Sequence, residues 1–225
     1  MNIKKLEKKI EKKANYFKEK YYKVSQWLLK KHFFTDARIS YEDRKRVAEI
    51  LVTMSPYYID TIRKSSTDKA FVADILKDKL NDPSFCFDII TQINYLPGDT
   101  YYVGGDDQLE EDSQNSVNFR EENYELVPKE IASSTDFIKK LFDIDIELKS
   151  GKAITGFRTN AAQTPFEYFG KLYPEETLEA VKNYVEENKK DKQVAKYAKV
   201  VLTEKMPKLA KEVFGKARAN EDLSK

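Results

Sequence analysis

The chain has 225 residues, 40 of them Lys or Arg and 38 Asp or Glu, for a formal net charge of +2; that length supports one sizeable domain or two small ones with a buried core. One Cys and one His exclude an internal disulfide and the common zinc sites, and no apolar run approaches the ~20 residues that span a bilayer. Charged residues recur through the first twenty-three positions, so no export signal is read, and the expectation is a reduced protein of the cytoplasm, or of a particle assembled there, with no cofactor, metal or membrane.

Residues 1–31 carry eleven Lys against three Glu, a net +8. Within them Ile10, Ala14, Phe17, Tyr21, Val24 and Leu28 alternate at four and three, which predicts a long amphipathic helix over 10–28. The spacing is that of a coiled-coil seam, but Phe and Tyr at seam positions favour docking on the protein's own core.

Ser40 with Asp43 three residues on predicts a helix start, with Val47, Ile50, Leu51 and Met54 as its inner face and Pro56 as its end. A short helix carrying Ile59 and Ile62 follows, then one capped by Thr67 with Phe71, Val72, Ile75, Leu76 and Leu80 inward. Asp82 before Pro83 opens another, with Ile89, Ile90 and Ile93 at helical spacing. Cys86 lies in an apolar run and reads as a buried thiol. Residues 1–96 therefore read as a helical segment.

Residues 97–147 hold fourteen acids and four bases, a net −10. Pro97–Gly98 and Gly104–Gly105 are breaks around the strand-favouring Tyr101, Tyr102 and Val103, and 106–116 reads as an acidic surface loop. An extended stretch over 117–127 and a short helix capped by Thr135 come next. Ile144, Ile146 and Leu148 alternate with Asp145, Glu147 and Lys149, then Ser150–Gly151 give a turn before Ala153, Ile154, Thr155 and Phe157. That pattern predicts a β-hairpin over 143–158, and 97–160 is read as an acidic insertion or arm.

Residues 148–225 return to a net +5. Thr164–Pro165 with Glu167 starts one helix; Pro174 starts the next, with Leu178, Val181 and Val185 inward. Asp191 caps a long helix with Val194, Tyr197, Ala198, Val201 and Leu202, which Pro207 divides and Gly215 ends. The fold class expected is mainly α: a helical bundle in which 161–225 packs with 1–96 as one body, bearing the β-hairpin-containing insertion.

Chemistry is sparse. Gly104–Gly105 lack the Lys and Ser/Thr of a phosphate-binding loop; Asp106, Asp107, Glu110, Glu111 and Asp112 lack calcium-loop spacing. A Cys86–His32 nucleophilic pair is disfavoured by the apolar surroundings of the thiol. Glu147 and Lys149 would share one face of the predicted strand. This pattern resembles the acid-x-lysine strand of restriction-endonuclease-like nucleases, and the resemblance implies a metal-binding acid and a lysine that assists the attacking water, with Asp136 or Glu130 as the upstream acid.

Opposed charge blocks are statements about association. The expectation is a non-enzymatic structural or adaptor subunit, in which Lys8, Lys9, Lys12 and Lys13 meet Asp106, Asp107, Glu110, Glu111 and Asp112 of a protein partner or of the next copy. A head-to-tail contact of that kind builds rings or filaments, as in helical virion connectors with a protruding loop. The alternatives are sequence-nonspecific nucleic-acid binding by the N-terminal lysines, with Tyr16, Tyr22 and Trp27 as stacking surface, and the metal-dependent nuclease.

Overall fold

The computed structural model describes residues 30–54, 58–66, 69–91, 93–94, 116–117, 119–155 and 162–215. The predicted N-terminal helix, Pro56, the Thr67 cap and all of the predicted acidic loop 106–116 except Ser116 lie outside them. The chain divides into two compact units, 1–92 with 96–110 and 93–95 with 111–225.

In the N-terminal unit, Ser40 Oγ accepts from the Asp43 amide at 3.1 Å and starts α1 (Tyr41–Met54), whose first turn carries Glu42 and Asp43 against the helix dipole. α2 (Tyr58–Ser65) and α3 (Lys69–Leu76) pack on α1 and on each other. The buried set is Val47, Ala48, Leu51 and Val52 from α1, Tyr58, Ile59 and Ile62 from α2, and Phe71, Val72, Ile75 and Leu76 from α3. Of the predicted inner face, Val47 and Leu51 are buried and Ile50 is half-buried, and Ala48 and Val52 are buried beside them. Phe33 and Phe34 are buried in the turn before α1, and Phe34 stands 6.2 Å from Phe71. After a 3-10 turn at Lys79–Asn81, Asp82 Oδ1 accepts from the Ser84 amide and α4 runs Pro83–Thr91. Ile93 does not continue α4 but belongs to a strand.

The C-terminal unit holds three strands of two residues each: β1 (Ile93–Asn94), β2 (Ser116–Val117) and β3 (Ile154–Thr155). β1 pairs antiparallel with β2, in register Ile93 with Val117, and β2 pairs parallel with β3. Where an extended stretch was expected after Val117, a 3-10 helix occupies Glu121–Leu126, and a single turn, α5 (Lys129–Ala132), follows.

The predicted hairpin over 143–158 is overturned. Its first strand is the second half of α6 (Thr135–Ser150), a sixteen-residue helix. Ser134, rather than Thr135, caps it, accepting from the Phe137 amide at 3.2 Å. Phe137, Ile138, Leu141, Phe142 and Asp145 repeat at three and four and are all buried, so the helical period set upstream runs through the residues that also alternate. Ser150–Gly151 is a helix end rather than a hairpin turn. Gly151 sits at φ 75°, its amide bonds the Leu148 carbonyl and the Lys152 amide bonds that of Glu147, which together form a Schellman motif. Of the predicted return strand, Ile154 and Thr155 form β3, paired with β2, and Phe157 lies outside the described residues.

α6 is the axis of this unit. It packs against α7 (Pro165–Leu172), α8 (Pro174–Glu187), α9 (Lys192–Lys205) and α5, while α10 (Pro207–Phe214) packs on α8 and α9. Residues 119–155 therefore belong with the C-terminal helices, and the chain divides near 92 and 111 instead of near 96 and 160. Three of these helices begin with proline at their first position, where the missing N–H costs nothing. Phe142 meets Phe166 at 4.7 Å and Tyr184 at 5.2 Å, and Phe169 meets Phe137 at 6.0 Å and Tyr124 at 5.8 Å, so aromatic side chains fill the space around α6.

Candidate functional site

α9 directs its lysines two ways. With 100° of turn per residue, Ala198, Val201, Leu202 and Lys205 fall on one side, and Lys192, Lys196 and Lys199 fall within about 60° of arc on the other. The first three are buried, and the three lysines of the other side are exposed.

On the inner side, Lys205 Nζ lies 2.9 Å from Asp145 Oδ2 and donates to Thr164 Oγ1 at 3.1 Å. Thr164 Oγ1 in turn donates to Asp145 Oδ2 at 2.8 Å and accepts from the Glu167 amide as the cap of α7. One hydroxyl thus joins the middle of α6, the start of α7 and the end of α9. The Asp145 side chain is 1% exposed and that of Lys205 24%. Burial pushes the Asp145 carboxyl above the ordinary range, and the Lys205 ammonium and the Thr164 hydroxyl oppose that shift. Asp145 Oδ1 has no hydrogen-bond partner among the described residues. A carboxylate so enclosed presents no surface to a substrate; what the arrangement can do is hold three helices together.

Beside it, Tyr184 donates to Asp143, and burial together with that bond raises the phenol's pKa. Tyr124 donates to the Gln163 carbonyl at 3.1 Å, its pKa likewise raised by burial. Glu147 is half-buried, and desolvation and then the Asp143 carboxylate push its pKa up. Lys149 is exposed and lies 2.7 Å from Glu204 of α9. Two residues apart on a helix, Glu147 and Lys149 point about 200° apart, so the shared face that motivated the nuclease resemblance is not formed. Among the described residues no group of three His, Cys, Asp or Glu could hold a metal ion.

Cys86 is buried, its thiol 3.4 Å from the Leu80 carbonyl and pushed up to about 11 by burial and then by Asp82. It is an unactivated thiol, and His32 is exposed in a turn at φ 48°. A hollow of about 320 Å³ on α1 is lined by Glu42, Asp43, Lys45, Arg46 and Glu49. It lacks the apolar lining of small-molecule sites. No helix among the described residues is long and apolar enough to cross a membrane.

On the outer side of α9, Lys192, Lys196 and Lys199 have no Asp or Glu three or four residues away on that helix and no ion pair among the described residues. Lys190, exposed in the preceding turn, extends the row, while Lys189 is engaged by Glu186. Lys8, Lys9, Lys12 and Lys13 and Asp106, Asp107, Glu110, Glu111 and Asp112 all lie outside the described residues. Sequence reasoning missed the inner triad. Its one visible signal was an aspartate recurring at helical spacing among Ile138, Leu141 and Phe142. No family model, no curated protein and no solved structure matches this chain.

Proposed function

We propose that the protein is a non-enzymatic structural or adaptor subunit that joins other proteins, or copies of itself, through surfaces of opposite charge. The observation that carries this reading is the sorting of charge: residues 97–119 hold six acids and no Lys or Arg, against a net +8 over residues 1–31. The one deeply buried ionic pair described is engaged in joining helices, whereas the outward lysines of α9 contribute no pairing to the fold. Surfaces of this kind steer association and weaken with salt. Light scattering on the purified chain tests it. Masses above 26.3 kDa at low ionic strength that fall to the monomer in high salt are expected, for the chain alone or for what it retains from an extract; a monomer under both conditions that also retains nothing from an extract overturns it.

A second reading follows from the same lysines. The pairs at Lys4–Lys5, Lys8–Lys9 and Lys12–Lys13, with the outward row of α9, fit a phosphate backbone held without sequence preference; Arg, the common base reader, is absent before Arg38. Filter binding to random-sequence DNA that falls steeply with salt supports this reading, and no retention at low ionic strength removes it.

A further inference from the structure

We infer that the outer face of α9 is a docking surface for an acidic polypeptide, and that its occupant is the 97–119 segment of a second copy of this chain. The inference rests on the self-assembly form of the proposed function and replaces the N-terminal lysines with α9 as the receiving surface.

Lys192, Lys196 and Lys199 are exposed in a row, with Lys190 beyond its end. Their placement works against the helix that carries them. Lys192 and Lys196 stand four apart, and Lys196 and Lys199 three apart, so each pair is a like-charge pair on one helix face. Lys192 is also the first helical residue, at the positive end of the dipole, where a cation is disfavoured. Elsewhere in the unit some helix-surface lysines find carboxylates: Lys139 lies 2.7 Å from Glu187, Lys149 2.7 Å from Glu204 and Lys171 2.8 Å from Glu167. Lys140 and Lys182 are exposed without such a pair among the described residues, but each has acids three or four residues away on its own helix; the α9 row has none, and an anion from outside the unit would relieve all three repulsions together.

Charge complementarity identifies the occupant. Residues 97–119 carry Asp99, Asp106, Asp107, Glu110, Glu111 and Asp112 with no basic residue among them, the chain's own acidic match to the row. Spacing agrees as well. The seven residues from Lys192 to Lys199 rise about 10 Å along the helix, and four residues of extended chain, which return to the same face, as from Asp106 to Glu110 or Asp107 to Glu111, cover about 13 Å, a difference that flexible lysine side chains span. Two or three carboxylates of an extended strand can therefore meet two or three ammonium groups at once.

The test is fluorescence anisotropy of a labelled peptide of residues 97–119 titrated with the full chain. Three variants are compared: wild type, Lys192→Gln/Lys196→Gln/Lys199→Gln, and a charge-matched control, Lys129→Gln/Lys140→Gln/Lys182→Gln, at lysines that are also exposed. Gln keeps helix propensity, and circular dichroism checks that each variant is folded. Binding by wild type and control, weakened about tenfold or more in the α9 variant, is expected from three surface ion pairs. Equal loss in the control reduces the effect to net charge and overturns the inference. So does undiminished binding in the α9 variant, or a single-stranded oligonucleotide bound through α9 while the peptide is not. If the peptide fails to bind while the wild type still associates in light scattering, the inference falls and the function stands; if the wild type is monomeric throughout, the inference and the self-assembly form of the function both fall.

Discussion

Lys205 and Lys199 are six residues apart on one helix and do opposite things. Lys205 reaches inward to a carboxylate that is almost wholly enclosed and to the hydroxyl that caps the next helix. Lys199 and its row reach outward and bind nothing described. Inside the unit a charge is tolerated only with its partner in place, because desolvation must be offset by pairing and hydrogen bonds. Outside, water solvates the charge, so an unmatched row costs the fold only a little repulsion. The contrast separates charge that holds the described fold together from charge that the described fold does not use.

The sharpest way to break this contrast is to remove the inner charge. Lys205→Met strands the Asp145 carboxylate, and a loss of about 3 kcal/mol in urea unfolding at neutral pH is expected. The pH dependence follows from the raised pKa of Asp145. An acid whose folded pKa is raised is best accommodated below its unfolded value of about 3.9, and the stability it contributes falls as pH climbs through the folded pKa. Without Lys205 the folded value rises further. The gap between variant and wild type is therefore smallest near pH 4 and widens upward; a gap that narrows with rising pH contradicts the pairing.

Thr164→Val removes the hydroxyl shared by Asp145, Lys205 and the α7 cap, and a loss of about 1–3 kcal/mol in the same assay is expected. Ser134→Ala removes the α6 cap and costs about 1 kcal/mol, and Gly151→Ala, at φ 75°, costs about 1 kcal/mol by forcing a side chain into the left-handed region. The smallest effect belongs to the outer row: Lys192→Gln/Lys196→Gln/Lys199→Gln should shift stability by no more than about 0.5 kcal/mol, towards stabilisation, because only like-charge pairs are lost.

Much of the helical scaffold was readable from termini. Ser40, Thr164 and Asp191 announce their helices by short polar side chains that bond amides two or three residues on, and Pro83, Pro165, Pro174 and Pro207 mark first turns. The buried, unactivated Cys86 was also readable from its apolar neighbours. α6 was not, because Ile144, Ile146 and Leu148 satisfy a period of two over the same residues through which the 3.6 period of Phe137, Ile138, Leu141 and Phe142 continues. The inner triad escaped for another reason. Residues 145, 164 and 205 are joined by tertiary packing alone, and a lysine near a helix end or a threonine before a proline has an ordinary local explanation.

The central claim is that unmatched charge on this molecule exists to be met by another macromolecule. The most direct test is the native mass of the protein taken from its source at low ionic strength, and again after the salt is raised. The account predicts a mass well above 26.3 kDa that collapses to the single chain as salt screens the contacts. A particle of 26.3 kDa at every salt concentration, with nothing accompanying it, contradicts it.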